Sequence, residues 1–167
     1  MDEIVIREAT AGDVAPISEI YNYYILNTAV TFEMCPVSAE EIQGRIAGIL
    51  AGGGLYYVAE IAGRVVGYYY VTKWNGRCAY ATTKEVTVYI DPAEYGKGIG
   101  TALYSHMIDQ VRSKDIHALL AGICIPNDAS VRLHEKFGFR QVSHMKQIGR
   151  KFDQWQDVGH WQLLLGE

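Results

Sequence analysis

The stretch Glu85–Thr101, EVTVYIDPAEYGKGIGT, limits what this chain can fold into more than any other. Val86, Val88 and Ile90 alternate with Thr87 and Tyr89, a β-rich period-two run that predicts a strand. Asp91-Pro92 stops it, because proline brings no N–H and restricts the residue before it. Gly96, Gly98 and Gly100 follow. Ile99, Ala102, Leu103, His106, Met107 and Val111 then fall near the 3.6 period of an amphipathic helix. Glycines between a strand and a helix let backbone N–H groups approach a ligand closely. The first helical turn leaves its own N–H groups unpaired at the positive end of the dipole. Together they make a seat for phosphate, with Lys97 as an added cation. A tight strand-to-helix turn that needs glycine only for its geometry accounts for these residues equally well.

Two familiar phosphate loops do not fit. The glycines lack the GxxxxGK[ST] spacing, and the position three after Gly100 is Leu103, which breaks GxGxxG. At 167 residues the chain is long enough for one domain with a sizeable core. The formal charge of −4, with no Lys/Arg run, argues against a general nucleic-acid binder. No apolar run reaches membrane-spanning length, and the charged start MDEIVIRE does not read as a signal peptide. Cys35, Cys78 and Cys124 are scattered without metal-ligand spacing, which predicts reduced thiols in a cytoplasm and no metal. The 12 tyrosines suit a lined pocket or an interface, and strand packing explains them as well.

Ile4–Arg7 predicts a first strand, and Thr10 with Asp13 a cap that opens a helix with the apolar face Val14, Ile17, Ile20, Tyr21 and Tyr24. Residues 27–36 read as a loop. Ser38 with Glu41 opens a second helix that Gly52-Gly53-Gly54 ends. Leu55–Ile61 and Arg64–Thr72 predict a hairpin about Ala62-Gly63, and 73–82 a loop. Ala118–Ile125 is apolar enough for a buried strand. Pro126-Asn127-Asp128 opens a helix that Gly138 closes as a C-cap glycine. Phe139–Val142 begins another strand, 149–155 reads as a loop, and Asp157–Leu165 as the last strand. Residues 1–167 thus form a single α/β domain with a mixed sheet.

Three stretches carry a resemblance. One is the glycine loop. The second is the run Asn127…Ser130…Leu133-His134-Glu135-Lys136-Phe137-Gly138-Phe139 after a buried strand. The third is the N-terminal order of strand, helix, loop and helix. Over nearly its full length the chain is similar to the GNAT N-acetyltransferase fold. Within it, the chain resembles the phosphinothricin acetyltransferase group, which includes acetyltransferases of methionine sulfoximine and methionine sulfone. Ile20-Tyr21-Asn22, Asn27-Thr28, Thr31-Phe32, Pro36-Val37-Ser38, Glu85–Tyr89, Leu133-His134 and the tail Gly149–Phe152, Trp155, Asp157-Val158 and Trp161-Gln162-Leu163 carry that closer likeness. Gly98 and Gly100 match the family's [Q/R]-x-x-G-x-[G/A] pyrophosphate loop, and Tyr95 stands where it has Gln or Arg.

The resemblance implies a twisted, mostly antiparallel sheet of about seven strands flanked by about four helices. It also implies acetyl-CoA as co-substrate, direct transfer to a small-molecule amine, and a homodimer. It assigns Glu85 as the base that takes the amine's proton, directly or through water; as a strand-end residue Glu85 would instead pair with an Arg or Lys. Backbone groups of Val88, Tyr89 and Ile90 would line the pantetheine arm, one N–H holding the thioester oxygen. Gly96, Lys97, Gly98, Ile99, Gly100 and Thr101 would hold the pyrophosphate. Asn127 would bond the arm, and Lys136 would reach the cofactor or simply face solvent. His134 fills the position of the family's acid, with packing as the alternative.

Phe32, Trp74, Asn75, Arg77, Tyr80, Glu85, Val86 and Thr87 are the substrate-side candidates. The chain departs from its methionine-sulfone-type relatives by carrying Trp74-Asn75-Gly76-Arg77 for Trp-Arg-Pro-Phe, and Ala81 where they place an arginine. Arg77 is the candidate replacement for the lost carboxylate clamp. The function implied is acetylation of an amino-acid-like amine of the phosphinothricin, methionine sulfoximine or methionine sulfone type. Another small amine, such as a polyamine or antibiotic, is the alternative substrate. A non-catalytic acyl-CoA-binding module is the alternative from another class, and Glu85 with an intact glycine loop argues against it.

Overall fold

The structure is a computed structural model that describes residues 3–166. In chain order it runs β1 (Val5–Glu8), α1 (Val14–Asn27), α2 (Ala39–Ala51), β2 (Leu55–Ile61), β3 (Arg64–Lys73), β4 (Thr83–Ile90), α3 (Ile99–Arg112), β5 (Ala118–Ile125), α4 (Asp128–Lys136), β6 (Arg140–Lys151) and β7 (Gln154–Leu164). The described strands form one seven-stranded sheet in the order β1-β2-β3-β4-β5-β7-β6. This is the mixed sheet with four helices that the sequence predicts.

Local chemistry explains the helix starts. The Ser38 hydroxyl accepts the Glu41 N–H at 3.2 Å and opens α2. Asp13 reaches back to accept the Thr10 N–H at 2.7 Å and its hydroxyl at 2.9 Å. One 3-10 turn, Ala11–Asp13, separates that contact from α1.

Two cores sandwich the sheet. On one face Ile17, Ile20, Tyr24 and Ile25 of α1 and Ile42 and Ile46 of α2 pack on Tyr56, Val58, Val65, Tyr68 and Tyr89. On the other, Ile99, Leu103, Tyr104, Met107 and Val111 of α3 pack on Val66, Val71, Val86, Leu119 and Ala121. Each fully buried side chain of this size contributes roughly 1.5–3 kcal/mol of transfer free energy. The period-two alternation of β4 thus sends Val86, Val88 and Ile90 toward α3 and leaves Glu85, Thr87 and Tyr89 on the α1 side.

The C-terminal third corrects the sequence reading. Residues 149–155 are not a loop: β6 runs to Lys151, Phe152 and Asp153 turn at φ 50° and 58°, and β7 starts at Gln154. Two irregularities in the pairing, between Gln141 and Ser143 and between Met145 and Gly149, break the alternation of β6 and hid it. The turn uses Phe-Asp in left-handed backbone instead of the usual Asn-Gly. The first strand is Val5–Glu8, one residue later than expected, and the loop after β3 contains a 3-10 turn at Cys78–Tyr80.

Candidate active site

β4 and β5 are the only parallel neighbours among the described strands, and they pair only at Thr83–Ala118, Lys84–Leu119 and Glu85–Leu120. Past Glu85 the two strands part. Asp91 donates its N–H back to Val66 on β3 at 2.8 Å, so strand alternation turns the N–H groups of Val88 and Ile90 toward the gap. The Ile90 carbonyl already accepts the Tyr24 hydroxyl at 2.5 Å.

A groove of about 510 Å³ follows this open edge from Val88, Tyr89 and Ile90 past Gly96, Gly98, Gly100 and Thr101, with Asn127, Ser130, Leu133 and His134 opposite. Gly98 sits at φ 82°, a left-handed cap immediately before α3. Gly100 suits a close approach: a Cβ there would stand 2.9 Å from a Leu133 methyl and 3.1 Å from an Ile90 methyl, which would have to shift. The first N–H that α3 satisfies internally is that of Ala102, to Gly98. Those of Ile99, Gly100 and Thr101 remain for an anion. Lys97 is engaged elsewhere, paired with Glu94 at 2.6 Å, while Glu94 also takes Arg64. Lys136 donates to the Thr101 hydroxyl at 3.2 Å. Asn127, which lines the groove, spends its side-chain oxygen on the Ser130 N–H at 3.2 Å, and its amide NH2 has no partner among the described residues. The open strand edge and the unpaired amides of α3 fit an extended thioester arm ending in a diphosphate.

A second cavity of about 280 Å³ adjoins the groove and shares Val30, Val88, Tyr89, Tyr104, Asn127, Ser130 and His134 with it. Glu85, Val86 and Thr87 line it, with Tyr21, Thr31, Tyr70 and Cys124. Glu85 is half-buried there and burial pushes its carboxyl up, with no charged partner acting on it. The ion pair that a strand-end role would require is not formed among the described residues.

His134 is buried at 6% exposure. Its Nδ1 lies 2.7 Å from the Ser130 carbonyl, which can only accept, so Nδ1 carries a proton. Nε2 then accepts the Tyr104 hydroxyl. Burial holds the imidazole below its ordinary range, hence neutral. Tyr104, which the sequence reading does not single out, therefore stands with its hydroxyl held by His134 at the junction of the two cavities. A buried tyrosine needs a partner for its O–H, which was the available signal.

The other substrate-side candidates stand apart. Phe32 is exposed and packs on Gly149, where a Cβ would meet its ring at 2.3 Å. Trp74 packs edge-on against His160 at 5.5 Å, Asn75 accepts the Arg77 N–H at 3.0 Å, and Arg77 and Tyr80 are exposed. None of these five lines either cavity. Tyr21, Thr31 and Tyr70 take their place on the wall. Tyr21 bonds Thr31 at 2.9 Å and also donates to Glu33, which Arg45 holds at 2.6 Å.

The sequence matches the Acetyltransferase (GNAT) domain family over residues 6–160. It is 38% identical to an L-methionine sulfoximine/L-methionine sulfone acetyltransferase of Salmonella typhimurium, over 98% of this chain and 96% of that one. It is 34% identical to a phosphinothricin N-acetyltransferase of Streptomyces coelicolor, over 98% and 97%. The fold superposes with a TM-score of 0.95 on a GNAT superfamily phosphinothricin acetyltransferase from Sinorhizobium meliloti solved with acetyl-CoA, at 34% identity over 98% and 89% of the two chains.

Proposed function

This chain belongs to the GNAT acetyltransferase family, and from that membership we propose that it transfers an acetyl group from acetyl-CoA to the amino group of a small amino-acid-like amine. The observation that carries the reading is Glu85, a half-buried carboxylate without an ion-pair partner, in a cavity that opens into the thioester groove. Residues 1–167 act as one catalytic domain in it.

Acetyl-CoA supplies the activated acetyl group. The α3 amides of Ile99, Gly100 and Thr101 hold its diphosphate, and the gap edge of Val88 and Ile90 with Asn127 holds its arm. The Val88 N–H steadies the thioester oxygen as negative charge builds there. Glu85 takes a proton from the amine, which is protonated at neutral pH and must lose it to attack. The departing sulfur needs a proton in return. The proton comes back from Glu85, which holds the one taken from the amine, while the Tyr104 hydroxyl, held by neutral His134 at Nε2 and raised by burial far above the ordinary tyrosine range, turns to hydrogen-bond the thiolate without giving up its proton. His134 is thus a positioning residue, and Tyr104 steadies the departing sulfur as a hydrogen-bond donor.

The substrates named for the relatives, phosphinothricin and the methionine sulfoximine and sulfone pair, set the class of amine. The chain pairs as a homodimer through its C-terminal hairpin, where Val142 and Ile148 on β6, Phe152 at the turn and Trp155 on β7 are each exposed. It works in the cytoplasm, whose reducing poise suits the free thiols Cys35, Cys78 and Cys124.

Release of free thiol from acetyl-CoA against phosphinothricin, methionine sulfoximine, methionine sulfone, common amino acids and polyamines tests the reading. Turnover of the amino-acid analogues, lost in Glu85→Gln, supports it. Turnover of polyamines alone replaces the substrate, and acetyl-CoA binding without any turnover replaces the function.

A further inference from the structure

Lys151 is among the most deeply buried side chains of the molecule, at 2% exposure, yet it carries an ammonium. Its Nζ donates one hydrogen bond, to the Thr31 carbonyl at 2.8 Å. The other two N–H donors have no acceptor among the described residues, and no carboxylate pairs with it there. Glu33 is close enough to act on its charge, but the Glu33 oxygens already accept Arg45 at 2.6 and 2.9 Å and the Tyr21 hydroxyl. The Phe152 ring stands 5.2 Å from Nζ on another side. A buried cation left in this condition is costly, and proteins tolerate it where something arrives to compensate it.

The compensation has an obvious direction. Thr31, which takes the Lys151 bond, and Cys124, which also feels its charge, both line the smaller cavity. That cavity contains Glu85 and no arginine or lysine side chain. Its charge pattern is therefore a carboxylate at the point where β4 and β5 part and an ammonium behind the Thr31–Cys124 wall. A charge this deeply buried is poorly screened and acts through one layer of side chains.

We infer that Lys151 is the countercharge for an acidic group on the amine substrate, held against the Thr31–Cys124 wall while the amine faces Glu85. This rests on the acetyltransferase reading and assigns the residue that compensates the acid of its amino-acid-like substrate. Burial alone holds Lys151 below the ordinary lysine range, and an arriving anion reverses that penalty. The exposed Arg77 is not needed for recognition.

The test compares methionine sulfone with its carboxamide, which keeps the amine and removes the acid, in the parent, Lys151→Met and Lys151→Gln enzymes. Methionine matches the length of the lysine stem. Glutamine keeps a donor for Thr31 but no charge. The expected result is a fall of about tenfold or more in the acid-to-amide ratio of kcat/KM in both variants, carried by KM for the acid. Calorimetric titration of the CoA-loaded protein with methionine sulfone should show the same weakening without turnover. An unchanged ratio overturns the inference, and so does a parent enzyme that already prefers the amide. Restoration of the ratio by Lys151→Gln overturns it too, because the hydrogen bond to Thr31 would then suffice. Should Lys151→Met fail to fold, the glutamine variant and the parent's own ratio decide. A parent that acetylates neither compound nor any other amine refutes the acetyltransferase reading itself, before any Lys151 variant is made.

Discussion

Glu85 faces Leu120 across the last rung of the parallel β4–β5 pairing, and the gap between the two strands begins at the next residue. The proposed base is therefore anchored by a paired backbone while its half-buried side chain lines the cavity. Glu85→Gln should keep the melting temperature and lower kcat by about 10²–10⁴-fold. Because burial raises the Glu85 carboxyl, kcat/KM of the parent should climb with pH through a limb above the ordinary carboxylate range, where the carboxylate form appears. A pH–rate series on both enzymes checks this: the variant should lose that limb.

Tyr104 and His134 should behave as one device. Tyr104→Phe removes the hydroxyl proton and His134→Gln removes the group that orients it. Each should lower kcat by about tenfold or more, with KM for acetyl-CoA moving less. The double variant should be no slower than Tyr104→Phe, and a rate equal to the product of the two single losses would show that they act separately.

Gly100→Ala should cost about 1–3 kcal/mol, because its methyl would press on Leu133 and Ile90. Gly98→Ala, forced to φ 82°, should cost about 1–2 kcal/mol. Both distort the turn that aims the α3 amides, so CoA affinity by calorimetric titration should weaken in both. Lys97→Ala should weaken it less, since Glu94 already holds that ammonium.

Arg7 bonds Asp13 at 2.8 and 2.9 Å and holds the buried carboxyl down at about 2. A depressed carboxyl stabilises the fold above its unfolded value and loses that contribution as pH falls through about 2. Asp13→Asn should therefore cost about 1–2 kcal/mol at neutral pH. Urea midpoints of parent and variant should converge as the pH drops from 4 toward 2.

If the C-terminal hairpin is the dimer contact, Trp155→Arg should shift sedimentation from dimer to monomer and leave the fold intact, since Trp155 is 61% exposed. A dimer of unchanged stability would move the contact elsewhere.

The parts legible in the sequence are those where local chemistry and tertiary packing agree. Val86, Val88 and Ile90 alternate because α3 covers one side of β4, Gly98 is glycine because its backbone is left-handed, and a small residue stands at 100 because Leu133 presses close. The hairpin of β6 and β7 was hidden because its pairing slips twice and Gln147 sits in left-handed backbone, so no simple period survives. Tyr104 and Lys151 were hidden for another reason. Each is buried, and what matters is the partner beside it, 30 residues away for His134 and 120 for Thr31. Phe32, Trp74 and Arg77 drew attention by residue type, yet they lie on the surface side of their loops, away from the cavity.

Tyr89 packs against Tyr21, Tyr24 and Tyr68 with ring centres 5.0–5.6 Å apart, and it also walls both cavities. The proposed amine site is thus an exposed face of the hydrophobic core and not a set of replaceable loops. A change of substrate range made at Tyr21, Tyr70 or Tyr89 carries a folding penalty with it. Laboratory selection for new amines on this scaffold should first enrich compensating substitutions in α1 and α2, and only then new chemistry in the pocket.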